Sequence, residues 1–194
     1  MTIWAVIPAK PAAEGKSRLA AALSPSARLE LNLRLFEHTL AAVRAVFVPG
    51  HIIVVSRDTT LLGIAAAAGA LALPEHGHDL NAALHQAAAT LPSGYDALTI
   101  STDLPSLTPD DLHAMLAAPD AVSIAPDRAG TGTNALLTRP AACIPYSFGE
   151  NSFALHKAAA ARINVIPRII RRPGLAFDLD MPEDLPLCPE IFLV

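Results

Sequence analysis

Cysteine is scarce. Cys143 and Cys188 are the only two in 194 residues, too few for a thiolate metal cluster or a disulfide scaffold, so both read as reduced, non-catalytic thiols. No run reaches the roughly 20 apolar residues needed to cross a bilayer. The hydrophobic fraction of 52% owes much to alanine in helical stretches such as 64–68 and 158–161. The opening Met-Thr-Ile-Trp-Ala-Val-Ile-Pro lacks a basic segment followed by a secretory apolar core and reads as a buried strand, so a cytoplasmic protein is expected, without a membrane partner. Positive charge is sparse too: 14 Lys and Arg face 18 Asp and Glu, for a net charge of −4. Apart from Arg168, Arg171 and Arg172 the cations are scattered, which argues against nucleic acid but leaves room for a small anion held by a few local cations and amides. There is no Walker A pattern, no histidine-acid metal motif beside His76 and His78, no internal repeat and no long linker. The length suits one domain spanning 1–194.

What is present is a regular alternation of apolar strands and amphipathic helices. Ile3 to Ile7 reads as a first strand, and Leu29, Leu33, Phe36 and Leu40 recur at helical spacing over about 25–45. His51 to Ser56, Ala70 to Leu73, Ala97 to Ser101 and Val122 to Ala125 read as further strands, with helices beginning near Asp58, Asp79, Thr108 and Ser152. Val165-Ile166 and Ala176-Phe177 are short strand candidates. The order predicts an α/β fold, with a central, mostly parallel sheet flanked by helices on both faces.

In such a sheet, ligands sit beyond the carboxyl ends of the strands. The loop after the first strand supplies Lys10, Lys16 and Arg18, cations suited to a triphosphate, with Lys16 the foremost candidate. Asp103 follows the strand ending at Ser101, while Asp178 and Asp180 are spaced to face one side of an extended segment. Brought together, the three carboxylates would form a hard oxygen site suited to Mg²⁺. Asp110, Asp111, Glu183 and Asp184 read instead as helix-start or turn acids. Gly130-Thr131-Gly132-Thr133-Asn134 and Gly149-Glu150-Asn151-Ser152 offer amides and hydroxyls for a phosphorylated acid, with His156 one turn after Ser152 as a supporting residue. Asp79-Leu80-Asn81 reads equally as a helix start or as nucleobase recognition.

These segments together resemble the guanylyltransferases that activate a phosphorylated three-carbon acid in coenzyme F420 biosynthesis. The resemblance rests on Lys16-Ser17-Arg18-Leu19, Ser101 to Pro105, Ile124 to Arg128 followed by Gly130 to Leu136, Phe148 to Phe153 with His156, and Asp178 to Leu185. It implies a Rossmann-like nucleotide-diphospho-sugar transferase fold and a Mg²⁺-dependent transfer of GMP from the co-substrate GTP to the acid's phosphate. It also implies catalytic Lys16 and Asp103, metal-binding Asp103, Asp178 and Asp180, acid-binding Thr133, Gly149 and Ser152, and a homodimer. Among the acids of the family, 3-phospho-D-glycerate is favoured over phosphoenolpyruvate and 2-phospho-L-lactate. More distant alternatives are a molybdenum-cofactor or sugar-phosphate nucleotidyltransferase, or a noncatalytic nucleotide-binding protein. Thr102 and the His76-Gly77-His78 loop depart from the family pattern.

Overall fold

The structure, a computed structural model, describes residues 2–77, 79–189 and 192. Its centre is a seven-stranded sheet of β1 (Ile3–Ala9), β2 (Ile52–Ser56), β3 (Leu71–Pro74), β4 (Asp96–Ile100), β5 (Val122–Pro126), β6 (Thr133–Thr138) and β7 (Arg168–Ile169). The strand order is β3-β2-β1-β4-β6-β5-β7. Only β6 opposes its neighbours, pairing antiparallel with both β4 and β5, which makes the sheet mixed but mostly parallel.

Helices α1 (Pro25–Arg44), α2 (Thr59–Ala67), α3 (Leu80–Ala89), α4 (Pro109–Ala117), α5 (Ser152–Arg162) and the short α6 (Pro173–Ala176) cover both faces. Strand alternation divides the core accordingly. Ile7 of β1 and Ile52 and Val54 of β2 pack with Phe36, Leu40 and Val43 of α1, Leu61 of α2 and Met115 of α4. Val6, Ile53 and Val55 point to the other face, with Leu84 of α3 and Phe153 and Ala160 of α5. A third cluster joins Leu19, Leu31 and Leu35 to Leu179 and Cys188, packing the first loop and α1 against the C-terminal acidic segment.

Helix starts follow the sequence signals. Ser24, Asp58 and Asp79 each accept a backbone N–H of the first turn, at Ala27, at Thr60 and Leu61, and at Ala82. Thr108 and Asp111 form a reciprocal capping box, and Asp111 also accepts from Arg172 Nε at 2.9 Å. Gly174 packs so closely here that a Cβ would lie 2.1 Å from Asp111 Oδ2 and 2.4 Å from Ser106 O.

The two short strand candidates near the C-terminus are placed differently. The last strand is Arg168–Ile169, and residues 173–176 form α6. Ile166 is 89% exposed and unpaired, so its β-branched composition finds no sheet neighbour, while Pro173 starts a helical turn that includes Ala176. Among the described residues no helix is long and apolar enough to cross a membrane.

Candidate active site

The connections β1–β2–β3 run to one side of β1, and the chain then returns to place β4 on its other side. The crevice between β1 and β4 is therefore the topological switch point of the sheet, where the loops after both strands diverge and leave room for a ligand. Lys16 enters from the loop after β1 and Asp103 from the loop after β4.

Lys16 has left-handed backbone angles (φ 54°), and a short 3₁₀ turn, Ser17–Ala21, follows it. Its ammonium lies 2.9 Å from both Asp103 Oδ2 and Asp180 Oδ1, and its side chain is only 7% exposed. Burial opposes the charge, but the two carboxylates outweigh it and hold Lys16 above its ordinary pKa. Arg18 is more exposed and reaches the other Asp180 oxygen at 3.3 Å. Lys10 stands apart at the rim of a cavity between the ends of β1, β2 and β3.

The acidic segment is set by backbone contacts. Leu179 N–H donates to Asp103 O at 3.0 Å, which places Asp178 and Asp180 on either side of the Asp103 peptide. Asp184, buried in the next turn, accepts from the N–H groups of Asp180 and Met181 and from Arg128 at 2.8 Å. Burial first, and then the nearby Asp103 and Asp180, raise the Asp178 carboxyl to about 6. Such mutual repulsion suits a set of oxygen ligands that a divalent cation would neutralise. Even so, among the described residues no group of three or more His, Cys, Asp or Glu is arranged to hold a metal. The Lys16 ammonium supplies the countercharge to Asp103 and Asp180. Mg²⁺ usually takes one or two carboxylates and completes its shell with water and substrate phosphates, so these acids fit it without an all-protein cage.

The polar loops lie alongside. Ser101 N–H donates to Asn134 O at 2.9 Å, so the start of β6, with Thr133, abuts the loop carrying Asp103. Asp127 folds its loop by accepting from Thr131 N, Thr131 Oγ1 and Gly132 N. Thr131 O in turn accepts from Phe153 N at 3.0 Å, joining this loop to the start of α5. Gly149 (φ 121°) and Asn151 (φ 57°) turn the chain into α5, whose first turn has no side-chain cap. Gly149 is exposed, whereas Ser152 and Thr133 are buried. His156 joins the two loops: its Nδ1 lies 3.0 Å from Thr133 Oγ1, and its Nε2 accepts from Ser147 N–H at 3.0 Å. Burial lowers His156 to about 4, so the imidazole is neutral at physiological pH.

Asp79 and Asn81 each have a partner within the fold. Asp79 caps α3, and Asn81 makes a reciprocal pair with Phe148, donating to its carbonyl at 3.1 Å and accepting its N–H at 2.7 Å. This ties α3 to the Gly149 loop. Sequence reasoning missed Arg57, Glu75 and Glu14 around the cavity beside Lys10, because single charged residues after strands carry no spacing signal. Neither cysteine shows a nucleophile's environment, since burial raises both thiols, Cys188 to about 11. His78 lies outside the described residues.

The strand order and the paired cationic and acidic loops at its switch point define a nucleotidyltransferase-type α/β protein. A cytidylyltransferase from Leptospira borgpetersenii superposes with a TM-score of 0.62 at 14% identity, covering 95% of this chain and 84% of its own. A CMP:2-keto-3-deoxy-manno-octonic acid synthetase solved with CTP gives 0.62 at 13% identity, covering 96% of both. At these identities the likeness concerns the fold. The family described as "Guanylyl transferase CofC like" matches residues 3–193, and the chain belongs to it. Proteins named phosphoenolpyruvate guanylyltransferase from Rubrobacter xylanophilus and Sphaerobacter thermophilus are each 42% identical, over 191 and 189 residues. Each alignment covers 95% of this chain, with 92% and 91% of the relative.

Proposed function

We propose that the protein transfers GMP from GTP to the phosphate of phosphoenolpyruvate and releases pyrophosphate. The observation that carries this reading is the Lys16 ammonium held between Asp103 and Asp180 at the sheet's switch point, a set of charges suited to a polyphosphate. An acid phosphate oxygen would form a bond to the α-phosphorus of GTP as the bond from that phosphorus to the β-phosphate's bridging oxygen breaks. The electron pair leaves with pyrophosphate. The attacking phosphate is already ionised at neutral pH, so no side-chain base is needed, and neutral His156 and the two high-pKa thiols agree with that.

Lys16 and Arg18 would hold the charge of the departing phosphates, and the fixed loops would align nucleophile and leaving group. Asp103 and Asp180, with Asp178 beside them, would hold Mg²⁺, whose charge would offset that of the phosphates. Thr133, Ser152 and the Gly149 turn would receive the acid. From the sequence, 3-phospho-D-glycerate is the favoured acid. Phosphoenolpyruvate replaces it because that is the acid in the names of the relatives at 42% identity.

Mass-resolved product formation with GTP, Mg²⁺ and each of the three acids tests the proposal. The phosphoenolpyruvate product should dominate, and Asp103→Ala should lose at least about 100-fold in rate, as removal of a key electrostatic contact does. A dominant 3-phospho-D-glycerate product would overturn the choice of acid. The absence of product with all three would overturn the transfer itself.

A further inference from the structure

A cavity of about 360 Å³ opens at the carboxyl ends of β1, β2 and β3, two strands along from Asp103, with Lys10, Glu14, Arg57, Glu75 and Leu80 in its wall. Of these, the charged side chains of Glu14, Arg57 and Glu75 meet. Arg57 makes a two-pronged pair with Glu14, at 2.9 and 3.4 Å, across the mouth of the first loop. Its Nε faces Glu75 Oε2 at 3.6 Å, too far for a hydrogen bond, and this Nε is buried without a hydrogen-bond partner. The Glu75 side chain is only 10% exposed, yet among the described residues no hydrogen bond reaches its carboxylate. A largely shielded carboxylate with no hydrogen bond, beside a buried guanidinium N–H with none, is costly unless something else completes the pair.

The main chain around Glu75 is held in place. Glu75 N–H donates to Ser56 O at 2.8 Å. Gln86 of α3 brackets the same turn, donating to Pro74 O at 2.8 Å and accepting from His76 N–H at 3.1 Å. The peptide that carries the Glu75 side chain is therefore tied to β2 and α3.

From this arrangement we propose that Glu75 and Arg57 read the Watson–Crick edge of guanine, Glu75 accepting from N1–H and the 2-amino group and Arg57 donating to O6. The assignment rests on the guanylyl-transfer reading above. A purine that presents two adjacent donors beside one acceptor complements a carboxylate beside a guanidinium. Adenine would set its N1 lone pair against the Glu75 oxygens and its 6-amino group against Arg57, so the same pair rejects it. The placement suits a nucleotide as well. Neighbouring strands are about 4.8 Å apart, so the ends of β2 and β4, with β1 between them, stand roughly 10 Å apart. That span is about one nucleoside, from a base edge at Arg57 and Glu75 to phosphates at Lys16.

The decisive variant is Glu75→Gln, whose amide N–H would oppose the guanine 2-amino group but satisfy the 2-carbonyl of xanthine. Affinities for GTP, XTP and ATP would be measured by calorimetry on the full chain with Mg²⁺ and no acid, so that nothing turns over. Wild type should prefer GTP to ATP by at least tenfold. Glu75→Gln should weaken GTP by about 10- to 100-fold, leave ATP no weaker than in wild type and raise the XTP-to-GTP affinity ratio at least tenfold. Should that variant not fold, Glu75→Asp, which withdraws the carboxylate by one methylene, should likewise lower GTP affinity and spare ATP. If wild type prefers GTP and neither the ratio nor GTP affinity moves in the folded variant, Glu75 is a structural partner of Arg57 and the assignment falls alone. If wild type shows no preference for GTP over ATP, the guanylyl-transfer reading falls with it.

Discussion

Thr133 Oγ1 lies 3.0 Å from Nδ1 of His156, and that contact sets which way the threonine hydroxyl can point. The other ring nitrogen, Nε2, accepts from Ser147 N–H, so it carries no proton. In the neutral ring the proton must then reside on Nδ1, which donates to Thr133 Oγ1. With an oxygen lone pair engaged, the hydroxyl hydrogen is free to turn toward an anionic ligand. His156 in this account orients Thr133 and does not itself touch the phosphorylated acid.

Thr133→Val should therefore remove one hydrogen bond to a charged ligand while keeping the side chain's shape. Such bonds contribute about 1.5–3 kcal/mol, so kcat/KM for the acid should fall roughly 10- to 100-fold. The KM for GTP should stay within about twofold, and Thr133→Ser should recover most of the loss. Steady-state kinetics with each substrate varied in turn checks this, and an equal rise in both KM values would count against a local role for Thr133.

The same buried ring makes folding sensitive to acid. His156 titrates near 4 in the folded chain because of burial, against about 6.5 when unfolded. Between those values the unfolded state binds more protons, so stability falls as pH drops from 6.5 towards 4 and is fully present above 6.5. The shift corresponds to something on the order of 3 kcal/mol over the whole window. His38, lowered by burial despite its bond to Leu107 O, acts in the same direction, so the test is a difference between two chains. Chemical denaturation of wild type and His156→Gln at pH 7 and pH 4.5 should show a smaller acid loss in the variant, and parallel losses would remove His156 as the cause.

The parts of the site legible in the sequence were those fixed by the alternation of strands and helices. A charged residue just past a buried strand has to emerge at the sheet's carboxyl edge, which is why Lys16, after β1, and Asp103, after β4, could both be assigned to that edge. The capping roles of Asp111 and Asp184 were legible because both acids follow a helix-start pattern. Long-range polar contacts were not. Asn81 occupies a position where base recognition and helix start looked equal, and only the folded chain shows its amide spent on Phe148, 67 residues away. Glu75 and Arg57 carry no periodicity at all, and their pairing depends on β2 and β3 lying side by side. Val165 and Ile166 favour strands by composition, but strand formation needs a neighbour, which β5 supplies to Arg168 and Ile169 instead.

Asp180 owes its position to Asp184 as much as to Lys16. Burial alone would raise the Asp184 carboxyl, but the N–H groups of Met181 and Asp180 and the Arg128 guanidinium bring it below the usual carboxylate range. Its Oδ2 accepts both N–H groups of the Asp180–Met181 turn while Oδ1 accepts from Arg128. Asp184→Ala removes all three acceptances, so the peptide carrying Asp180 loses its anchor and Lys16 keeps only Asp103 as a fixed partner. The expected result is a fall in kcat of about 10-fold or more, since small misplacement near the chemistry is costly, together with about 1–3 kcal/mol of lost stability from unsatisfied buried donors. Arg128→Ala should act more weakly, because that guanidinium is 57% exposed and the two backbone bonds survive its loss. Measuring kcat and chemical denaturation for both variants decides the matter: if Arg128→Ala matched Asp184→Ala in kcat, the ion pair and not the backbone staple would be what positions Asp180.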